Sequence, residues 1–123
     1  MPRILVVEDD DLMRDGLRQM IEREGHEALA AENGLLGLKL FQTHEIDLVI
    51  TDVLMPEKDG LELIKEIRAC NPEVKIIAMS GGGRISSKNY LSVAKRLGAN
   101  GTLTKPFLRK DLIESLRAIF SET

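Results

Sequence analysis

The chain has 123 residues, of which 43% are hydrophobic and 30% are charged, and its single cysteine, Cys70, excludes an internal disulfide bond and a cysteine-based metal site. With 17 basic and 20 acidic residues the net charge is -3, which argues against nucleic acid as a direct partner because phosphate binding needs a clustered basic surface. No apolar run approaches the roughly 20 residues of a membrane span, and the chain does not open on a signal-peptide pattern, so we expect a cytoplasmic protein without membrane partners.

Strand patterns and helix patterns alternate along the chain. Short apolar runs predict buried strands at Ile4–Val7, Glu27–Ala30, Ile46–Thr51, Val74–Met79 and Thr102–Thr104. Apolar residues at helical spacing follow each run, and the five helices are predicted near residues 12–24, 35–41, 60–70, 87–97 and 108–120. This strict alternation indicates an α/β fold, a doubly wound five-stranded parallel sheet with helices on both faces.

Several local features refine this prediction. Asp11 is predicted to be the N-cap of the first helix, and Asn33-Gly34 is a turn signal before the second. The last helix is predicted to bury one apolar stripe, made of Leu108, Leu112, Leu116, Ile119 and Phe120. Neither His26 nor His44 follows a strand, so both are predicted to be surface residues rather than metal ligands or phosphohistidines.

Polar residues stand at the carboxyl ends of four predicted strands. Glu8-Asp9 follows the first strand, Asp52 the third, Ser80 the fourth and Lys105 the fifth. Because parallel strands all end at the same edge of their sheet, these side chains are predicted to gather there, in the crevice where α/β proteins bind ligands.

Such an acid cluster needs a compensating charge. Two carboxylates about 4 Å apart repel by roughly 4 kcal/mol at an effective dielectric near 20. A lysine, a proton or a cation can offset this repulsion, and oxygen ligands without histidine or cysteine favour Mg²⁺. The alternative is a solvated acidic loop that caps the first helix, and this description fits Asp10 and Asp11.

The same edge is suited to phosphoryl chemistry. Asp52 can attack phosphorus and form an aspartyl phosphate, while Mg²⁺ and Lys105 neutralise charge on the transferring group. Ser80 then offers a hydroxyl group that can hydrogen-bond to the product. Each residue alone has an ordinary structural explanation, so the prediction depends on their joint placement.

The sequence resembles the CheY-like receiver domains of two-component response regulators over its whole length. The matching segments are Leu5–Asp10, Asp52 with Met55-Pro56 and Asp59-Gly60, Met79–Gly81 and Lys105–Phe107. The resemblance implies the (βα)5 flavodoxin-like receiver fold with strand order 2-1-3-4-5. We therefore expect one receiver domain over residues 1–123, with no output domain.

The resemblance also assigns roles. It implies that Asp52 is the phosphoacceptor, and that the Mg²⁺ ligands are Glu8, Asp9, Asp52 and the backbone carbonyl of Leu54. Ser80 takes the family's Ser/Thr switch position and Lys105 its lysine position, with a cis bond to Pro106. The implied donor is a phosphohistidine on a sensor histidine kinase or a phosphotransfer protein. The implied downstream protein binds the face formed by the fourth helix, the fifth strand and the fifth helix, and the domain is not a conventional enzyme.

Three departures from the family pattern modify these expectations. Thr102 stands where many receivers have an aromatic switch residue, so we hypothesise that the Ser80–Arg84 loop and the following helix carry the output change. The Ser80–Lys105 stretch is about three residues longer than in common receivers, around its glycines. Leu54 is apolar and Gly82 lacks a side chain, so nothing is expected to orient an attacking water, which predicts a phosphoryl lifetime of minutes rather than seconds.

Three rival functions share parts of this pattern. A haloacid-dehalogenase-type phosphatase needs a second acid two residues after the nucleophile, where this chain has Leu54. A flavodoxin-like flavin carrier needs a phosphate loop after the first strand, where the acids at 8–11 would repel phosphate. A degenerate receiver that acts only as a protein-binding module is the main alternative, and its acid cluster would not respond to Mg²⁺.

Overall fold

The structure, a computed structural model, describes residues 2–53, 59–81 and 87–120. Within these residues one sheet contains five parallel strands, β1 (Arg3–Val7), β2 (Glu27–Ala31), β3 (Leu48–Asp52), β4 (Lys75–Gly81) and β5 (Gly101–Lys105). The helices are α1 (Asp11–Arg23), α2 (Gly34–Thr43), α3 (Gly60–Cys70), α4 (Ser87–Leu97) and α5 (Arg109–Phe120). The strand order is β2-β1-β3-β4-β5, so the predicted α/β fold and strand order are both confirmed.

Helices cover both faces of the sheet, and successive strand residues supply the two cores in turn. In β1, Leu5 and Val7 join the core under α2, α3 and α4, whereas Ile4 and Val6 join the core under α1 and α5. All four side chains are fully buried. This explains why the central strands read as continuous apolar runs, since both of their faces are covered.

Strands β3 and β4 extend further at their carboxyl ends than the apolar runs predicted. β3 includes Asp52, which pairs with Met79, and β4 continues to Gly81, which pairs with Lys105. The ladder is formed by backbone groups, so a polar side chain does not end a strand that still has a neighbour. Asp52, Ser80 and Lys105 therefore lie within strands rather than in the loops after them.

The N-terminus of α1 corrects one prediction. The N-cap is Asp10, not Asp11, because the Asp10 carboxylate accepts the Met13 N–H at 3.0 Å. Asp11 is the first helical residue and pairs with Arg14 instead. The predicted turn at Asn33-Gly34 is the start of α2, where Asn33 caps the Leu36 N–H at 2.8 Å.

Two further side-chain predictions were wrong. His26 is half-buried rather than a surface residue, and its ring centroid lies 5.1 Å from that of Phe120 at the end of α5. Leu108 precedes α5 and is 63% exposed, so it is not part of the buried stripe. His44 is exposed as predicted, and Cys70 is an exposed free thiol at the end of α3.

Candidate functional site

The carboxyl edge of the sheet brings together side chains from three strand ends. Glu8 follows β1 directly, Asp52 ends β3 and Lys105 ends β5. The Lys105 Nζ lies 2.5 Å from Glu8 Oε1 and 2.8 Å from Asp52 Oδ2. The predicted convergence of these residues is therefore confirmed, although β1 and β5 are not adjacent strands.

Burial makes this ion-pair network electrostatically strong. The side chains of Glu8 and Asp52 are 1% and 8% exposed, and that of Lys105 is 19% exposed. Two carboxylates in so dry a site repel strongly unless a cation lies between them. Lys105 supplies that cation by bonding to one oxygen of each.

The pKa values of Glu8 and Lys105 reflect this balance. Burial raises the pKa of Glu8, and the charge of Asp52 adds to the rise, while hydrogen bonds from Lys105 and from the Asp10 N–H oppose it. Burial by itself would lower the pKa of Lys105, but its hydrogen bonds to Asp52 and Glu8 outweigh burial and raise it. The site therefore holds Lys105 charged and makes Glu8 easier to protonate than an ordinary glutamate.

Three carboxylates form a group that could hold a cation. One oxygen each from Glu8, Asp9 and Asp52 lies within 4.8 Å of the others, and the Asp9 side chain is exposed while the other two are buried. A donor set made only of carboxylate oxygens fits a hard cation such as Mg²⁺, and the exposed side leaves room for water ligands. The fourth predicted ligand, Leu54, lies outside the described residues.

The junction after β3 fixes the backbone of Asp52. The Val53 N–H donates to Met79 O at 2.9 Å, and the Gly60 N–H donates to Val53 O at 3.0 Å. A methyl group on Gly60 would overlap with the carbonyl oxygen of Asp52. In the sequence, Asp59-Gly60 was identified only as a match to the receiver family, and a glycine directly before a helical pattern was the signal for this close approach.

Ser80 lies inside the protein at the same edge. Its side chain is fully buried, and its Oγ forms no hydrogen bond with any residue that the structure describes. Buried hydroxyl groups are almost always hydrogen-bonded, so an unsatisfied one requires an explanation. A hydroxyl group that forms its hydrogen bond only with a ligand, or only in a second conformational state, would be buried without a partner in this way.

Arg14 is a residue of the site that sequence reasoning missed. Its Nη1 donates to the Glu8 carbonyl oxygen at 2.9 Å, and its Nη2 lies 2.5 Å from Asp11 Oδ1. The Asp11–Arg14 spacing is a helical i,i+3 ion pair, which was visible in the sequence. The bond to the Glu8 backbone was not, since it depends on how the loop after β1 folds.

The Lys105-Pro106 peptide bond is cis, as expected. No helix among residues 2–53, 59–81 and 87–120 is long and apolar enough to cross a membrane.

Comparison with known proteins identifies the class of protein that has this site. The chain matches the family model of the response regulator receiver domain over residues 4–117, and it belongs to that family. Receiver domains of this kind act in two-component signalling, where they interact with sensor kinases and downstream effectors and generally bind Mg²⁺ at an acidic pocket. They are generally not conventional enzymes.

Three relatives illustrate the similarity. The chain is 30% identical to the chemotaxis protein CheY of Halobacterium salinarum over 119 residues, which is 97% of each chain. It is 35% identical over 117 residues to the transcriptional regulatory protein RprY of Bacteroides fragilis, covering 95% of this chain but 48% of that protein. The crystal structure of the response regulator TrrA from Thermotoga maritima, in complex with Mg²⁺ and BeF, superposes with a TM-score of 0.86 and 35% identity, over 98% of this chain and 100% of that one.

The relatives differ in length. The chain spans about half of several curated relatives, transcriptional regulators among them, and nearly the whole of the halobacterial CheY. Membership of the family therefore describes the receiver domain, and it does not extend to the remaining half of the longer relatives.

Proposed function

We propose that the chain is a working phosphoacceptor and that Asp52 receives the phosphoryl group. The observation that carries the proposal is the network in which one lysine contacts both Glu8 and Asp52 beside the exposed Asp9. Asp52 is nine-tenths buried and paired with the Lys105 ammonium group, and an aspartate carboxylate is a nucleophile that can attack phosphorus. The donor we propose is a phosphohistidine of a sensor histidine kinase or a phosphotransfer protein.

In the transfer, an oxygen of Asp52 forms a bond to phosphorus while the phosphorus–nitrogen bond of the donor histidine breaks. The electron pair of that bond stays on the imidazole, which takes a proton from water. A cation held by Glu8, Asp9 and Asp52 would neutralise charge on the phosphoryl oxygens. Lys105 supports this proposal, because a compact point charge beside Asp52 would bind one of those oxygens afterwards.

Ser80 supports a signalling role as well as a chemical one. Its buried Oγ has no partner among the described residues, so a phosphoryl oxygen on Asp52 would give it one. Forming that bond requires the end of β4 to adjust, and β4 leads towards α4. We propose that this adjustment changes the face formed by α4, β5 and α5, through which the domain contacts its downstream protein in the cytoplasm.

The test is intact-mass spectrometry after incubation with acetyl phosphate. Wild type should gain one phosphoryl group when Mg²⁺ is present and none when it is removed by a chelator. Asp52→Asn should gain none. Asp47→Asn is the control, because Asp47 is an exposed acid at the opposite, amino edge of the sheet, just before β3, and it should be modified like wild type.

A wild type without any gain from either acetyl phosphate or a phosphohistidine donor would reject the proposal and favour a degenerate receiver that only binds proteins. Modification that persists in Asp52→Asn would show that another residue is the acceptor.

A further inference from the structure

We infer that Arg14 helps to position Asp9 by holding the Glu8 carbonyl oxygen, and that it thereby raises the affinity of the acid cluster for Mg²⁺. This inference rests on the proposed Mg²⁺ site. It makes Arg14 a positioning residue, since its side chain contacts a neighbour of the cation ligands rather than the cation.

Every polar group of Glu8 forms a hydrogen bond. Its N–H donates to Ala31 O at 3.0 Å, Oε2 accepts the Asp10 N–H at 3.1 Å and Oε1 accepts Lys105. Its carbonyl oxygen accepts Arg14 Nη1 at 2.9 Å. Of these four contacts, the arginine bond is the one made to the peptide unit that leads into Asp9.

Asp9 depends on that peptide unit for its position. The Glu8 carbonyl group, the Asp9 N–H and the Asp9 Cα atom belong to one rigid plane, so a bond that holds the carbonyl oxygen also restricts where the Asp9 Cα atom lies. The Asp9 side chain is exposed, and within the described part of the chain no hydrogen bond to its carboxylate is found. Restricting the position of its Cα atom therefore favours the approach of Asp9 to Glu8 and Asp52, and Arg14 supplies that restriction through the Glu8 carbonyl group.

The guanidinium is itself held in place. The Arg14 side chain is 21% exposed, and Nη2 pairs with Asp11 while Nη1 reaches the Glu8 carbonyl. Two donors of one planar group thus join the first turn of α1 to the end of β1. An arginine can do this because its fork is rigid, whereas most side chains offer one donor.

The same helix contains a matched control one turn further on. Arg18 forms an i,i+3 ion pair with Asp15 at 2.6 Å, as Arg14 does with Asp11, and also pairs with Glu22. Arg18 has no bond to the loop after β1 among the contacts found in the described residues. Replacing Arg18 therefore removes an equivalent charge and ion pair without touching the peptide before Asp9.

Charge and positioning predict opposite signs. Removing a positive charge beside the acid cluster should tighten the binding of a cation, because like charges repel. Removing a group that orients a metal ligand should weaken it, typically by about 10-fold to 100-fold. The direction of the change in Mg²⁺ affinity thus decides between the two effects.

The experiment is a Mg²⁺ titration of the whole chain, followed by calorimetry or by amide chemical shifts, for wild type, Arg14→Met, Arg14→Gln and Arg18→Met. We expect the dissociation constant to rise about tenfold in both Arg14 variants and to stay within about twofold in Arg18→Met. Thermal unfolding without Mg²⁺ checks that each variant is folded, and Arg14→Gln decides the question if Arg14→Met is not. In acetyl phosphate reactions, the Mg²⁺ concentration for half-maximal rate should rise while the rate at saturating Mg²⁺ stays near that of wild type.

Unchanged or tighter Mg²⁺ binding in a folded Arg14 variant would overturn the inference, because the charge effect would then be the whole effect. An equal loss in Arg18→Met would also overturn it, since the cause would lie in the helix generally. A wild type that does not bind Mg²⁺ at all would reject the proposed site together with this inference. A wild type that binds Mg²⁺ and is phosphorylated, with Arg14 variants that behave identically, would reject the inference alone.

Discussion

At the scale of single residues, Lys105 allows two buried carboxylates to face each other. Its Nζ contacts Glu8 and Asp52 at 2.5 Å and 2.8 Å, and neither acid is more than a tenth exposed. Removing one member of a buried charge network leaves the other charges uncompensated, which costs more than the network contributes in total.

Lys105→Met should therefore lower the free energy of unfolding by about 2–3 kcal/mol at neutral pH without Mg²⁺. The loss should shrink as the pH falls, because Glu8 has a raised pKa and a protonated Glu8 no longer repels Asp52. A raised acid pKa contributes stability that is fully present below the ordinary glutamate pKa and is lost as the pH rises through the raised value. Urea unfolding of wild type and variant at several pH values measures both effects.

In wild type, the ion pairs of Lys105 predict a second change in the free energy of unfolding at alkaline pH. The pKa of Lys105 is raised, so its contribution to stability is complete below the ordinary lysine pKa and is lost as the pH rises through the higher value. A Lys105→Met variant that is as stable as wild type at neutral pH, or whose deficit grows on acidification, would contradict this account of the network.

Unlike Lys105, Ser80 has a buried polar group that forms no hydrogen bond with the described residues. Ser80→Ala should leave the stability of the unphosphorylated protein unchanged or raise it by up to about 1 kcal/mol, since an unpaired buried hydroxyl is costly. Denaturant unfolding without donor or Mg²⁺ makes the measurement. A clear loss of stability would mean that Ser80 has a structural partner, and the proposed role in the phosphorylated state would lose its support.

At the scale of elements, the β3–α3 junction shows how the backbone places Asp52. Gly60 starts α3, and a Cβ atom at this position would overlap with the carbonyl group of Asp52 and with the backbone of Val53. Gly16 in α1 contrasts with it, because nothing lies within 4 Å of the position its Cβ would take. Position 60 requires glycine because a side chain there would collide with the backbone, whereas at position 16 an alanine would fit and would favour the helix.

Gly16→Ala should therefore raise the free energy of unfolding by about 0.5–1 kcal/mol, as alanine restricts the unfolded chain and favours the helix. Gly60→Ala should lower it by about 2 kcal/mol, since backbone rather than a flexible side chain must move. Urea midpoints at unchanged slope provide the comparison. Similar effects at both positions would show that helix propensity, and not the approach to Asp52, is what matters at Gly60.

Across the whole molecule, the two edges of the sheet hold different sets of polar residues. The acids, Ser80 and Lys105 lie at the carboxyl edge, whereas the amino edge holds a structural network. There, Arg68 donates to Gly98 O at 2.9 Å and to Asn100 Oδ1 at 2.9 Å, which ties the end of α3 to the loop after α4. This loop is thus anchored at the edge of the sheet opposite the proposed phosphoryl site.

Phosphorylation should accordingly shift amide resonances in β4, in the loop that follows it and in α4, with effects that fade towards Leu97. Asp47 and Cys70, at the amino edge, should change little. A comparison of amide spectra with Mg²⁺ alone and with Mg²⁺ and acetyl phosphate measures this. Shifts confined to the acid cluster would reject the hypothesis that the Ser80–Arg84 loop and α4 carry the output change. Residues 82–84 of that loop lie outside the described residues.

The fold could be predicted because its signals are local and repeated: five apolar runs alternate with helical spacing, and parallel strands must end at one edge. The meeting of Glu8, Asp52 and Lys105 followed from that edge alone. The strand order came from resemblance, since apolar runs do not encode which strands are neighbours. Arg14, Gly60 and the burial of His26 were missed because each depends on a contact between segments far apart in the chain or on the path of a loop.

Asp52 is proposed to form an acyl phosphate, and chemical mapping of the phosphoryl group would locate it on the chain. The protein would be phosphorylated with acetyl phosphate and Mg²⁺, reduced with borohydride, which converts an aspartyl phosphate into homoserine, and mapped by peptide mass spectrometry. We expect homoserine at position 52, in wild type and in Asp47→Asn, and none when Mg²⁺ is withheld. Reduction at position 8 or 9 instead, or a phosphoryl group that resists reduction on a histidine or serine, would contradict it.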